Sequence, residues 1–132
     1  MIEFRHVSFS YDFRGEQEDI RKKDSLCDIN LKVNDGECVL LCGKSGCGKT
    51  TITRLVNGLV PNFYTGKLTG EVLLDGRNIS EMPIYEVSSH VGSVFQNPRT
   101  QFFNVDTDSE IAFGMENLAL PRKQIEEKVH FR

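Results

Sequence analysis

Basic charge is in no excess: 16 lysines and arginines stand against 19 acidic residues, for a net charge of -3. The electrostatic footprint of a nucleic-acid-binding domain is therefore missing, and nucleic acid is set aside as a partner. No apolar run approaches the roughly 20 residues that a membrane-spanning helix needs. The opening MIEFRHVSFS does not follow a positive segment with an apolar one, as a secretory signal does. Four cysteines, at positions 27, 38, 42 and 47, form no C-x-x-C pair and have no histidine at zinc-finger spacing. There is neither an internal repeat nor a low-complexity tract. These features imply a cytosolic polypeptide of one domain, residues 1–132. Its 39% hydrophobic and 27% charged residues are ordinary for a globular protein.

Short apolar patterns are plentiful. Ile2, Phe4, Val7, Phe9 and Tyr11 alternate with one slip between Phe4 and Val7, which predicts a strand with a single bulge. Residues 12–24 are polar and charged and read as a solvated loop. Ile29, Leu31 and Val33 alternate again, ahead of the turn signal Asn34-Asp35-Gly36. Cys38–Cys42 is continuously apolar, as expected of a strand covered on both faces in a parallel sheet, with Cys38 and Cys42 as small buried hydrophobes. Ile52, Leu55, Val56 and Leu59 mark one face of a helix closing near Gly58 and Pro61. Val72-Leu73-Leu74-Asp75-Gly76 reads as a strand entering a hairpin, and residues 84–88 as a short helix. Val91–Phe95 reads as a further strand, ended by Asn97-Pro98. Thr107 and Glu110 have capping-box spacing at a helix start, and Pro121 opens a last helix with Ile125 and Val129 on one side.

One stretch carries chemistry. Gly43-Lys44-Ser45-Gly46-Cys47-Gly48-Lys49-Thr50 satisfies G-x-x-x-x-G-K-S/T between an apolar run and an amphipathic helix. Glycines let successive N–H groups turn inward around phosphate oxygens, and a helix beginning at Lys49 aims its positive end at the same anion. Lys49 then supplies an ammonium to the β- and γ-phosphates, and the Thr50 hydroxyl a ligand to Mg²⁺. At ordinary glycine frequency a chance match in such a chain is on the order of one in a few hundred. Lys44 faces solvent, and the Cys47 thiol is open to oxidation but incidental to binding.

Other features are weaker. Val72–Asp75 superficially resembles an acidic metal-holding strand, but Asp75-Gly76 is a strong hairpin signal and no glutamate follows. Gln96 stands at the end of the expected strand 91–95, the edge where ligands of α/β sheets bind. Tyr11 offers an aromatic face on which a base can stack. His6, His90 and His130 receive no role, and no residue is assigned as catalytic.

Together VSFSY, NDGE, GKSGCGKTT, GEVLLDG and VGSVFQNP give the chain a resemblance to the N-terminal part of an ATP-binding-cassette (ABC) ATPase. The continuation QNPRTQFFNVDTDSEIAFGMENL is closer still to the energy-coupling-factor importers, which take up vitamins and metal ions. The resemblance implies a P-loop α/β fold with an N-terminal antiparallel β subdomain. It implies ATP and Mg²⁺ as ligands, with Tyr11 on the adenine and Gly43–Thr51, including Thr51, as the phosphate loop. Gln96 corresponds to the glutamine that contacts Mg²⁺ and the attacking water. The segment after it would meet a transmembrane subunit, and a second ATPase subunit would close the site, at the inner face of the cell membrane.

The family's signature motif, acidic strand with catalytic glutamate and switch histidine are expected beyond Arg132. Without them phosphoryl transfer lacks its water-positioning and charge-neutralising parts, so binding without efficient hydrolysis is expected. Uncovered apolar surface would also leave the chain marginally stable or self-associating. Two alternatives stay open. A small-molecule P-loop kinase would phosphorylate an added acceptor, and a non-enzymatic assembly module would bind nucleotide regardless of Lys49.

Overall fold

The computed structural model describes residues 1–12 and 25–130, so most of the expected loop 12–24 lies outside the described residues. They form two units, Met1–Gly92 and Ser93–Arg132.

The first unit is built on a four-stranded antiparallel sheet of order β2-β1-β3-β4. Its strands are β1 (Ile2–Tyr11), β2 (Leu26–Val33), β3 (Gly66–Leu74) and β4 (Arg77–Asn78). Registers place Phe4 opposite Leu31 and Val72, and Phe9 opposite Leu26 and Leu68, so one face of three strands is apolar. Onto this face pack α1 (Lys49–Val56), the single turn α2 (Leu59–Asn62) and α3 (Ile84–His90), which bring Leu55, Val60 and Val87 into the core. Ile79, on a 3₁₀ turn after β4, closes it.

The slip in alternation is a bulge shared by three strands. Pairing shifts between Phe4 and Val7 against β2, and between Arg5 and Ser8 against β3; a second shift against β2, between Val7 and Phe9, adds to the single bulge expected. His6 and Asp28 take left-handed backbone angles there (φ 49° and 46°). Opposite them Gly70 has φ 79°, and a β-carbon on it would lie 2.3 Å from the His6 carbonyl oxygen, so only glycine fits. One extra residue reverses the parity of everything after it, which is how Val7, Phe9 and Tyr11 join Phe4 on the buried face. Side chains fasten the bulge: His6 Nδ1 bonds Asp28 at 2.8 Å, and Asn30 accepts from the His6 amide at 2.9 Å. The His6 imidazole beside it holds the Asp28 carboxyl below its ordinary range.

Asp75 and Gly76 both have positive φ (50° and 82°), the geometry of a tight β3–β4 hairpin, as expected from Asp-Gly. Asp75 is a turn residue, and it also accepts from the Met1 amino group at 2.6 Å.

Two expected strands do not form. Residues 38–42 and 91–95 have no strand pairing among the described residues. Cys38 and Cys42 are exposed, not buried, and Leu40 is 84% and Val94 90% exposed. The reason is that a parallel strand exists only with a neighbour to complete its ladder, and here all four ladder strands pair antiparallel among themselves. The apolar content of both runs was legible, but no described strand pairs with either of them.

In the second unit a 3₁₀ turn at Pro98–Gln101 precedes α4 (Thr107–Asn117) and α5 (Arg122–His130). The cap of α4 sits one residue earlier than its capping-box spacing suggests. Asp106 accepts from the Ser109 amide at 2.8 Å, and Glu110 reaches back to the amides of Phe103 and Asn104 at 3.1 and 2.9 Å. Pro121 directly precedes α5, and Val129 is buried while Ile125 is half-buried. Phe103 stacks on Phe113 at 5.2 Å.

Candidate functional site

The glycine-rich loop joins residue 43 to the first turn of α1. Gly48 precedes that helix with φ 95°, and a β-carbon there would sit 2.5 Å from the Ser25 carbonyl oxygen and 2.8 Å from Leu26 Cδ2. The close approach of the loop to the start of β2 therefore depends on a residue without a side chain. Cys47 donates its amide to the Lys44 carbonyl at 3.3 Å, closing a turn, and α1 begins with Ile52 donating to Gly48 at 3.0 Å.

This arrangement leaves donors unspent. The backbone N–H groups of Gly46, Gly48, Lys49, Thr50 and Thr51 donate to no described residue. No side chain caps α1, and no acidic residue occupies its first turn to offset the helix dipole. Lys49 folds back over the loop, its Nζ donating to the carbonyls of Gly43 (2.8 Å) and Lys44 (2.7 Å). The third ammonium donor has only Cys47 Sγ at 3.5 Å, a weak acceptor. A cluster of free amides with a cation held among them is suited to a polyanion.

Thr50 is exposed at the same turn, and its hydroxyl bonds no described residue, so a hard oxygen donor is available for Mg²⁺. The next residue behaves differently: Thr51 is buried, and its Oγ1 lies 3.2 Å from the Tyr11 hydroxyl. Tyr11 thus stands at the end of β1 against α1, half-buried, with its ring edge-on to Phe9 at 4.8 Å and to Tyr64 at 6.3 Å. Lys44 and Ser45 are exposed on the loop.

Tyr11 and residues 43–51 are all in the first unit, whereas Gln96 belongs to the second. Gln96 is exposed at a bend, and the strand it was expected to end does not form. Sequence reasoning missed Arg54 and Tyr64. Arg54 donates to the Tyr11 hydroxyl oxygen at 3.0 Å, and its guanidinium carbon lies 3.9 Å from the Tyr64 ring centroid. Arg54 stands three residues after Thr51, hence on the same helix face, which was a usable signal. Tyr64 gave none, because its position depends on the irregular turn after α2.

Comparison with known proteins agrees with this geometry. The model of the ABC transporter family matches residues 26–130. A Treponema denticola protein, provisionally named an ABC transporter ATP-binding protein, is 55% identical over 95% of this chain. Proteins with the same provisional name from Methanosarcina mazei (41% identity, 98% of the chain) and Pyrococcus abyssi (40%, 99%) are also similar. The chain spans 24%, 21% and 44% of these relatives respectively. A loop of free amides around a lysine, a helix that starts directly from it and a family match over most of the length converge on one assignment: the chain belongs to the ABC transporter family of ATP-binding proteins.

Proposed function

We propose that this chain forms the phosphate-gripping half of a Mg-ATP site in an ABC importer of the energy-coupling-factor type, which takes up a vitamin or metal ion. The observation that carries the proposal is the Lys49 ammonium held over a loop whose amides at positions 46 and 48–51 are unspent. Those amides and Lys49 bind the β- and γ-phosphates, Thr50 supplies an oxygen to Mg²⁺, and Tyr11 takes the adenine. By the resemblance, Gln96 is the glutamine that contacts Mg²⁺ and the attacking water. Bound Mg²⁺ would neutralise phosphate charge; the chain's own contribution is to position and desolvate the triphosphate.

The 132 residues correspond to the N-terminal part of a nucleotide-binding domain, and the bare apolar runs at 38–42 and 91–95 support this. The region after Gln96, with Phe102 and Phe103 exposed, faces a transmembrane subunit, and a second ATPase subunit closes the nucleotide. No helix among the described residues is long and apolar enough to cross a membrane. A peripheral position at the inner face of the cell membrane follows from that partnership. The sequence holds no signature motif, catalytic glutamate or switch histidine, so this polypeptide binds Mg-ATP and hydrolyses it poorly.

Equilibrium dialysis of Mg-ATP against wild type and Lys49→Ala, with phosphate release followed in parallel, tests both halves. Binding that falls about 10- to 100-fold in the variant is expected, the worth of a charged hydrogen bond. Brisk steady-state release by this chain, or phosphate transfer to an added small-molecule acceptor, would overturn the proposal.

A further inference from the structure

The proposed base platform is itself held by a device that the phosphate-loop motif does not include. Tyr11 shares its hydroxyl oxygen with two residues of α1, Thr51 at 3.2 Å and Arg54 at 3.0 Å. A guanidinium only donates, so the Tyr11 oxygen accepts from Arg54, while either hydroxyl can be the donor of the Tyr11–Thr51 bond. Arg54 is fixed in turn by stacking over Tyr64 at 3.9 Å, and Tyr64 meets the Tyr11 ring edge-on at 6.3 Å. Tyr11, Arg54 and Tyr64 close a circuit, with Thr51 attached at the Tyr11 hydroxyl, that ties the ring at the end of β1 to the helix that follows the loop.

We propose that Arg54, seated on Tyr64, is a positioning residue for the nucleotide base: it fixes the tilt of the Tyr11 ring relative to the phosphate-loop helix. This rests on the reading of residues 43–51 and Tyr11 as the ATP site. A ring free to swing about its side-chain torsions would have to be ordered on binding, at a cost in affinity, and Arg54 removes that cost beforehand. The planar guanidinium is needed because it stacks and donates at once. A lysine keeps the charge and loses the stacking fork.

Arg54 also carries a positive charge near a polyanion site, so the test must separate charge from orientation. Mg-ATP and inorganic tripolyphosphate, which has no base, are titrated into wild type, Arg54→Met, Arg54→Lys, Tyr11→Phe and the double variant Y11F/R54M. Expected is a loss of about fivefold for ATP in R54M and Y11F, the worth of one net hydrogen bond, with tripolyphosphate unchanged. The double variant should lose no more than either single one, since both break one circuit. R54K should resemble R54M.

Equal weakening of both ligands in R54M, or full ATP affinity in R54K, would mean that Arg54 acts through charge, and would overturn the inference. Undiminished ATP binding in Y11F, which removes one oxygen and keeps the ring, overturns it even if R54M folds poorly. Failure of the underlying site is distinguishable: Lys49→Ala would then leave both ligands unaffected.

Discussion

Gly48 and Gly70 combine a positive φ with a backbone approach that leaves no room for a β-carbon. At Gly48 a β-carbon would meet the Ser25 carbonyl at 2.5 Å with φ at 95°, and at Gly70 the His6 carbonyl at 2.3 Å with φ at 79°. Gly48→Ala and Gly70→Ala should each lower unfolding free energy by about 2 kcal/mol, read from urea transitions, through strain at positive φ and a backbone clash. Their functional consequences differ. Gly70→Ala disturbs the bulge that puts Tyr11 on the buried face, whereas Gly48→Ala pushes the loop itself off β2. By contrast Gly76 has open space around its β-carbon position, and only its φ of 82° resists substitution. Of the site residues, those in the loop were legible because their chemistry is tied to spacing along the chain. The Arg54–Tyr64 contact was not, because it joins a helix to a turn whose path sequence periodicity does not encode.

Helices and strands that complete themselves locally were foreseen well. The bulged β1, the alternating β2, the Asp75-Gly76 hairpin and α1 as far as Val56 follow patterns written into neighbouring residues, whereas Leu59, expected on the same helix, starts the separate turn α2 after Gly58 at φ 73°. The strands at 38–42 and 91–95 failed because burial on both faces is a property of neighbours, not of the run itself. The α4 cap shows the same lesson on a smaller scale: capping-box spacing pointed to Thr107, but the adjacent Asp106 also offers a capping oxygen and is the one used. The Ser109 amide and then its hydroxyl hold the Asp106 carboxyl below the ordinary aspartate range. A depressed carboxylate contributes its stabilisation fully above the ordinary aspartate value and loses it as pH falls through the lowered folded value. Circular dichroism of wild type should therefore lose helical signal on acidification below pH ~4. Asp106→Asn, which keeps a neutral capping acceptor, should lose less. Identical acid limbs would show that the cap is not in use.

Taken whole, the chain combines a well-packed antiparallel sheet with apolar side chains left in solvent. Phe9, Leu55, Ile79, Val7, Val60 and Val87 are all but fully buried, while Leu40, Val94, Phe103 and Val105 are 76–106% exposed. Leu55→Ala should cost about 2–5 kcal/mol by opening a cavity in that core. The exposed set should instead drive concentration-dependent self-association in sedimentation experiments. Leu40→Glu with Val94→Glu should suppress the association without lowering the melting midpoint, because neither side chain is packed. A monomer at every concentration would contradict this.

The most direct test of a Lys49-centred polyanion cradle is calorimetric titration of Mg-ATP into natively folded wild type and Lys49→Ala. Saturable heat in wild type, with affinity at least about tenfold weaker in the variant, is the predicted result. No heat from native wild type, or equal affinity in the two proteins, would contradict it.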